Sequence, residues 1–525
     1  MALTDTSHAT YACLPCRTLK RKCTRELPVC SLCVRLNKVC DYTATNTHRG
    51  GSAAQVEIPE RDTGFYARDS IPPNVSGLSS FPANFFLDSE SHQQLSESNR
   101  TSTTVSPKGL EFLDTPEDCF VICNEYFASI QPWLPFMSEK RLARRLDNGR
   151  PETDLGLALR LTCMKLSSMS PSTWEEALSF PLYHKAKALL SLAETACLVC
   201  LDLVQAALLI AVYEIGHGIQ PAAYLSISHA ARLGIVLGLH DREHAPQLFK
   251  PPDTWTLREE ERRTWWAIII LDRFSNIGIT GTPLSTPEPA NGTLLPCPDD
   301  AWTHGQISTN EPLFVESLST TTPLGVYANT CQAAHITGRV LAHRNIHAIN
   351  GASDLRAHLL EGQTLHQLLT SLITHLLHKH QETRSNSVEN RLMALSLAVS
   401  AQLILCNIYA CNEHYPPPDQ AHLVEERIMQ EAALKGIELM INAGFEIAQM
   451  VMSFDERGVT AVSPVVAHAL YQAVTECAWV IREFGDQEHK VRLEVMIEAL
   501  RVVSGRWRVV EKYMKLLRDE GTPGL

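Results

Sequence analysis

From Thr115 to Leu517 the chain repeats apolar residues at three- and four-residue steps, the period of a helix with one buried face. Thr115-Pro116-Glu117-Asp118 supplies a start: a capping hydroxyl, proline in the first turn and acids at the positive end. Cys119, Ile122, Tyr126 and Ile130 then fall on one side, and Pro132 stops the run. Ser138 opens a second helix through Leu142 and Leu146. The spacing predicts further helices over Leu155–Leu166, Tyr183–Val199, Leu201–Ile215, Ala222–Leu239 and Leu257–Phe274. It predicts six more over Gly325–Ala342, Asp354–Leu377, Val388–Ala410, Leu423–Ile447, Ser463–Phe484 and Glu488–Leu517, the last broken near Ser504-Gly505. No sustained strand alternation and no repeat appears, so residues 109–525 read as one large all-α helical domain of packed hairpins.

Residues 43–108 break this pattern. They are rich in Ser, Thr, Asn, Pro and Gly, too polar to bury a core of their own, and read as a flexible linker. Phe65, Tyr66, Phe81, Phe85 and Phe86 are its apolar exceptions. It shows no heptads, so no coiled-coil dimer is expected through it; the fragment 1–108 is expected to be monomeric, and dimerisation through the helical body stays open.

Residues 1–42 follow a different rule. Cys13, Cys16, Cys23, Cys30, Cys33 and Cys40 form C-x2-C-x6-C-x6-C-x2-C-x6-C, two halves of like spacing. The alternatives to a metal cluster are a disulfide scaffold, separate zinc ribbons or chance, and chance is negligible for this spacing in so short a run. Disulfides need an oxidising compartment, and no apolar signal segment precedes Tyr11. A C-x2-C pair lets both thiolates reach one tetrahedral metal from one turn. Six thiolates cannot give two metals four private ligands each, so two must be shared. By symmetry these are Cys13 and Cys30, the first cysteine of each half.

The run from Ala12 to Tyr42, ACLPCRTLKRKCTRELPVCSLCVRLNKVCDY, resembles the fungal Zn2Cys6 binuclear cluster family of transcription regulators. The resemblance implies two Zn2+ ions held by all six cysteines, the first and fourth bridging. It also implies halves built of a short helix and an extended strand, joined by a loop containing Pro28. It implies double-stranded DNA as partner, with Lys20, three residues before the third cysteine, reading a CGG-type triplet; a lysine can donate to guanine O6 and N7. Arg17, Arg21 and Lys22 are expected on phosphates. Leu19 stands where the family often carries a base, which removes one contact.

Charge agrees with that division. Between Cys13 and Cys40, seven bases (Arg17, Lys20, Arg21, Lys22, Arg25, Arg35, Lys38) stand against Glu26, a formal +6. The whole chain is −12, so the rest sums to −18. A small basic head suits phosphate, and a large acidic body does not. Lys20–Lys22 also suit a nuclear import signal, and the expected location is the nucleus. No apolar run reads as a membrane span, so no membrane partner is expected.

The body resembles the fungal-specific transcription factor domain, in YFASIQPWLPF (Tyr126–Phe136), HAARLGIVLGLHDR (His229–Arg242), EEERRTWWAIIILDRFSNIGITGTPLS (Glu259–Ser285) and LLPCPDD (Leu294–Asp300). This implies a regulatory domain that responds to a small-molecule effector and works with the transcription machinery. Arg262, Arg263, Asp272 and Arg273 are expected in structural salt bridges. Cys197 and Cys200 read as buried thiols, and His375, His378 and His380 as solvated or capping side chains. His343 and His347 lack the glutamate of a zinc protease, and no phosphate loop, dinucleotide fingerprint or nucleophile elbow occurs. The expectation is a non-enzymatic, zinc-dependent regulator of RNA polymerase II transcription, of the kind that controls a fungal specialised-metabolite gene cluster. The alternatives are a DNA-bound scaffold of kinetochore type and a ligand-sensing repressor.

Overall fold

The structure is a computed structural model. It describes residues 9, 12–13, 16, 22–35, 40 and 42 near the N-terminus. Beyond these it describes 113 and 115–525, apart from 149–153, 197, 242–251, 253, 291, 314–323, 351–354, 383–387, 411–423 and 486. The chain divides into two compact units, Met1–Pro73 and Asn74–Leu525. The expected linker, 43–108, lies outside the described residues.

The first unit contains one short described helix, α1 (Ser31–Arg35). The second is helical among the described residues, with an isolated bridge between Leu294 and Pro312. Its first group comprises α2 (Pro116–Ser129), α3 (Glu139–Asn148), α4 (Leu155–Ser168), α5 (Trp174–Ser179), α6 (Pro181–Thr195), α7 (Leu201–Gly216), α8 (Ala222–Val236) and α9 (Trp255–Ser275). After the short α10 (Asp299–His304) come α11 (Val326–Asn350), α12 (Leu355–Glu382), α13 (Val388–Ala410) and α14 (Val424–Met452). The chain closes with α15 (Glu456–Thr460), α16 (Pro464–Phe484), α17 (Gln487–Ser504) and α18 (Val509–Asp519).

Local chemistry sets these boundaries. Thr115 Oγ1 accepts from Asp118 N at 3.1 Å, and Ser138 Oγ from Arg141 N at 3.3 Å, as the sequence predicts for two helix starts. α6 ends at Thr195 rather than Val199, because Leu198 N turns back to Ala193 O at 2.9 Å. The short α5, α10 and α15 escaped the sequence reading, since one or two turns are too few to show a period.

Two helices organise the body. α7 is buried along almost its whole length, and α4, α6, α8 and α9 pack around it. α13 does the same for α11, α12, α14 and α16. A helix that is apolar all round must be enclosed, at about 1.5–3 kcal/mol for each large side chain buried. Arg391–Ala410 in α13 is in fact long and apolar enough to cross a membrane, contrary to the sequence reading. Its window is 83% buried inside the body, which makes it the core helix of the second group.

The two groups meet where α9 packs on α11, and again where the chain end returns to the first group. There Trp507 is fully buried, and its Nε1 donates to Val462 O at 2.6 Å. A Cβ on Gly216 would lie 2.0 Å from the Trp507 ring, so α7 admits that ring only because Gly216 has no side chain. Arg506 lies 4.0 Å over the same ring and donates to the carbonyls of Ser167 and Met169. Burial lowers its pKa to about 9, which leaves it charged at neutral pH.

Candidate metal centre and nucleic-acid interface

The N-terminal unit has too few large apolar residues to make an ordinary core. Its buried centre is Cys13, Cys16, Cys30 and Cys33, with Cys23, Cys40, Leu32 and Tyr42 packed against it. Cys30 precedes α1, whose first turn is closed by Val34 N donating to Cys30 O at 3.1 Å. That turn carries Cys33 to the same side as Cys30. Thr24 Oγ1 accepts from Ser31 N at 3.0 Å and fixes the helix start. Tyr42 OH donates to Glu26 O at 3.1 Å, tying the end of the motif to its middle.

The distances decide between a disulfide and a metal. A disulfide needs its sulfurs at about 2.05 Å, and no disulfide joins the described cysteines. A tetrahedral zinc with Zn–S bonds of about 2.3 Å holds its sulfurs about 3.8 Å apart. Cys13 Sγ lies 3.7 Å from Cys30, 3.8 Å from Cys23 and 3.7 Å from Cys33, and Cys16 Sγ lies 3.6 Å from Cys30. The six sulfurs form two four-atom groups, Cys13-Cys16-Cys23-Cys30 and Cys13-Cys30-Cys33-Cys40, each within 4.8 Å. Cys13 and Cys30 belong to both. Cys16 and Cys33 also approach to 4.0 Å across the two groups, so these lie side by side.

The thiols differ in their surroundings. Burial pushes the Cys13, Cys16 and Cys33 thiols up, Cys33 to about 12. Cys30 is drawn down to about 6 although burial opposes it, through hydrogen bonds from the Cys33 backbone and side chain. Cys33 N donates to Cys30 Sγ at 3.4 Å, and Cys30 N to Cys40 Sγ at 3.3 Å. Such bonds orient and stabilise thiolates. Four positive charges from two divalent ions would bring six thiolates to a net −2.

Around the cage, Lys22, Arg25 and Arg35 are exposed. Arg17, Lys20, Arg21 and Lys38 lie outside the described residues. Sequence reasoning missed Tyr42 and Thr24, which brace the cage without contributing a sulfur. Tyr42 follows the sixth cysteine by two residues, which is its only signal.

The body brings no catalytic set together among the described residues. Arg263 Nε pairs with Glu259 at 3.1 Å, Arg263 Nη1 reaches Asp299 at 3.3 Å, and Arg262 also bonds Glu259. Arg273 meets Asp272 at 3.0 Å and Glu288 at 3.1 Å. These are the structural pairs the sequence predicts. Trp265 and Trp266 are buried beside them. Cys200 is half-buried and Cys197 lies outside the described residues. His375 and His378 are exposed, and the side chains of His347 and His380 lie outside the described set. His343 is buried, stacked 3.7 Å from His358, with Nε2 2.6 Å from Tyr409 OH.

Residues 11–49 match the fungal Zn(2)-Cys(6) binuclear cluster domain, and residues 123–412, more than half of the chain, match the fungal specific transcription factor domain. The chain therefore belongs to the fungal Zn2Cys6 transcription factors, a class that binds DNA through a cluster of two zinc ions and six cysteines and acts with the transcription machinery. It is a regulator and not an enzyme. It is similar to the transcription factor BOA15 of Botryotinia fuckeliana, 38% identical over 180 residues, which is 34% of this chain and 98% of that one. It is similar to the azaphilone cluster-specific transcription factor azaR of Aspergillus niger, 27% identical over 381 residues, 70% of this chain and 78% of the relative. A third relative is the citrinin biosynthesis transcriptional activator mrl3 of Monascus ruber, 23% identical over 384 residues, 64% of this chain and 73% of the relative.

Proposed function

We propose that this chain is a nuclear regulator of RNA polymerase II transcription that controls one specialised-metabolite gene cluster. In this reading Cys13, Cys16, Cys23 and Cys30 hold one zinc, and Cys13, Cys30, Cys33 and Cys40 the other. The observation that carries it is the pair of four-sulfur groups sharing Cys13 and Cys30, each within 4.8 Å, with Cys13 Sγ 3.7 Å from Cys30 and 3.8 Å from Cys23 and Cys16 Sγ 3.6 Å from Cys30. Zinc does no chemistry here; it stands in for an apolar core too small to exist. Lys20 reads a CGG-type triplet, and Arg17, Arg21 and Lys22 neutralise phosphates. The helical body adjusts the head's action in response to an effector. Support for a biosynthetic target comes from relatives whose names tie them to azaphilone and citrinin production.

The test has two arms. Chromatin occupancy with transcript profiling after gene deletion should place the protein at promoters of one cluster of co-regulated genes; occupancy confined to centromeres would contradict it. On purified protein, Lys20→Ala should cost about 1–3 kcal/mol on CGG-bearing DNA and little on scrambled DNA. Arg21→Ala should weaken both alike and lower the salt slope by about 1. Equal losses on both duplexes for Lys20→Ala would reduce that residue to a phosphate contact.

A further inference from the structure

The body carries a groove of about 430 Å³ between α11, the start of α12 and the segment 282–288 that follows α9. That volume falls in the range of small-molecule sites, about 300–1,000 Å³. Its apolar lining comes from Pro283, Leu284, Leu341, Ala342 and Ile346, and Ala342 and Ile346 are exposed. Gly338 gives the groove its depth beside α9: a Cβ there would stand 2.8 Å from Arg273 Nε and 3.2 Å from Glu288 Oε2.

The polar groups at the groove differ in how fully they are engaged. Glu288 is held at both oxygens, by His335 at 2.6 Å and Arg273 at 3.1 Å. Asn345 Oδ1 accepts from Gly281 N at 3.0 Å, and Thr282 Oγ1 donates to Asn276 Oδ1 at 2.9 Å. Arg339 and Glu361 are the exception. Their contact is 3.5 Å, longer than a well-made hydrogen bond, and both side chains are about a third or more exposed. His343 Nδ1 stands 3.9 Å from the second Glu361 oxygen. Guanidinium and carboxylate cancel, so a net charge on an occupant would meet its own sign as well as its opposite. A hydroxyl fits both members at once, accepting from Arg339 and donating to Glu361.

We infer that this groove binds a neutral, predominantly apolar small molecule through a hydroxyl group set between Arg339 and Glu361. An occupant touches the segment after α9 together with α11 and α12, the place where the two helical groups meet. The inference rests on the reading of the body as effector-responsive, and it supplies the chemical class and the place. DNA binding by the head does not enter its test, so the two readings fail separately.

The experiment is equilibrium dialysis of the full-length zinc-loaded protein against four probes of one shape: 1-naphthol, 1-methylnaphthalene, 1-naphthoate and 1-naphthylmethylamine. 1-Naphthol should bind about three- to tenfold more tightly than 1-methylnaphthalene, the worth of one net hydrogen bond, and more tightly than either charged probe. Arg339→Met should erase the preference for 1-naphthol over 1-methylnaphthalene while keeping 1-methylnaphthalene binding. Ala342→Trp, which fills the groove from an exposed position, should abolish binding of both, with the helical circular dichroism spectrum unchanged. If Ala342→Trp loses its fold, the Arg339→Met result decides alone. No binding of 1-naphthol, equal binding of all four probes, preference for a charged probe, or an unchanged hydroxyl preference in Arg339→Met would each overturn the inference.

Discussion

The head and the body solve one problem by different means. The body encloses α7 and α13 in shells of helices, and its continuous core runs from Leu113 to Leu517. Among the described residues the head's buried centre is four cysteines, with Cys23, Leu32, Cys40 and Tyr42 packed against them. A unit that small cannot remove enough apolar surface from water to offset its chain entropy, so a metal supplies the difference. Stability in the body is therefore spread over many side chains, and in the head it is concentrated in six sulfurs. One substitution should empty the head, whereas the body should lose stability by increments.

The largest effect follows from Cys13, which lies in both sulfur groups. Cys13→Ala should release both zinc ions and unfold the head, because structural zinc contributes about 10–16 kcal/mol in small zinc domains. Metal analysis beside circular dichroism would show loss of zinc with the helical melt of the body unmoved. Retention of one tightly bound zinc in a folded Cys13→Ala head would break the shared-sulfur account.

Incremental loss is sharpest where Trp507 meets α7. Trp507→Ala should destabilise the body by about 3–5 kcal/mol through the cavity it leaves. Gly216→Ala should cost about 1–3 kcal/mol by overpacking, since its Cβ would fall 2.0 Å from the ring. In the Trp507→Ala background the same Gly216→Ala change should cost almost nothing, because the obstruction is gone. Urea unfolding of the two single variants and the double variant measures this, and full additivity would show that the two residues do not share the space.

These two regions were also unequally legible in the sequence. The head's cage could be counted from spacing alone, because metal geometry allows few arrangements of six equal ligands. Cap signals placed the starts at Thr115 and Ser138 at their observed helices, since capping is a local interaction. The pairing of Gly216 with Trp507 was not legible. It joins residues far apart in the chain, and neither has a local signal. The groove beside Arg339 was hidden for the same reason, since its walls come from three separate stretches. Arg263 was read as a structural ion-pair member, but its partners Pro135, Cys297 and Asp299 belong to tertiary structure alone.

A smaller effect concerns acid. Burial holds His217 well below its ordinary pKa, and Arg506 and Arg508 add to this. The folded body thus keeps His217 neutral, while the unfolded chain takes up a proton as pH falls below about 6.5. The unfolded state then binds more protons, so stability is full above that pH and falls below it. The slope from this residue is at most about 1.4 kcal/mol per pH unit. His217→Phe should flatten the dependence of the urea midpoint between pH 6.5 and 5 by up to one proton. An unchanged slope would assign the acid sensitivity to other groups.

The account's central claim is that the head reads DNA and the body does not. The most direct measurement is a binding titration at fixed salt of the full-length chain and its Cys13→Ala variant, against CGG-bearing and scrambled duplexes. The intact protein should select the CGG duplex. The variant, whose chain outside the cysteine run carries −18 of formal charge, should bind both duplexes weakly and alike near physiological salt. Target-selective binding by a zinc-free Cys13→Ala chain would contradict the account, because recognition would then reside in the body.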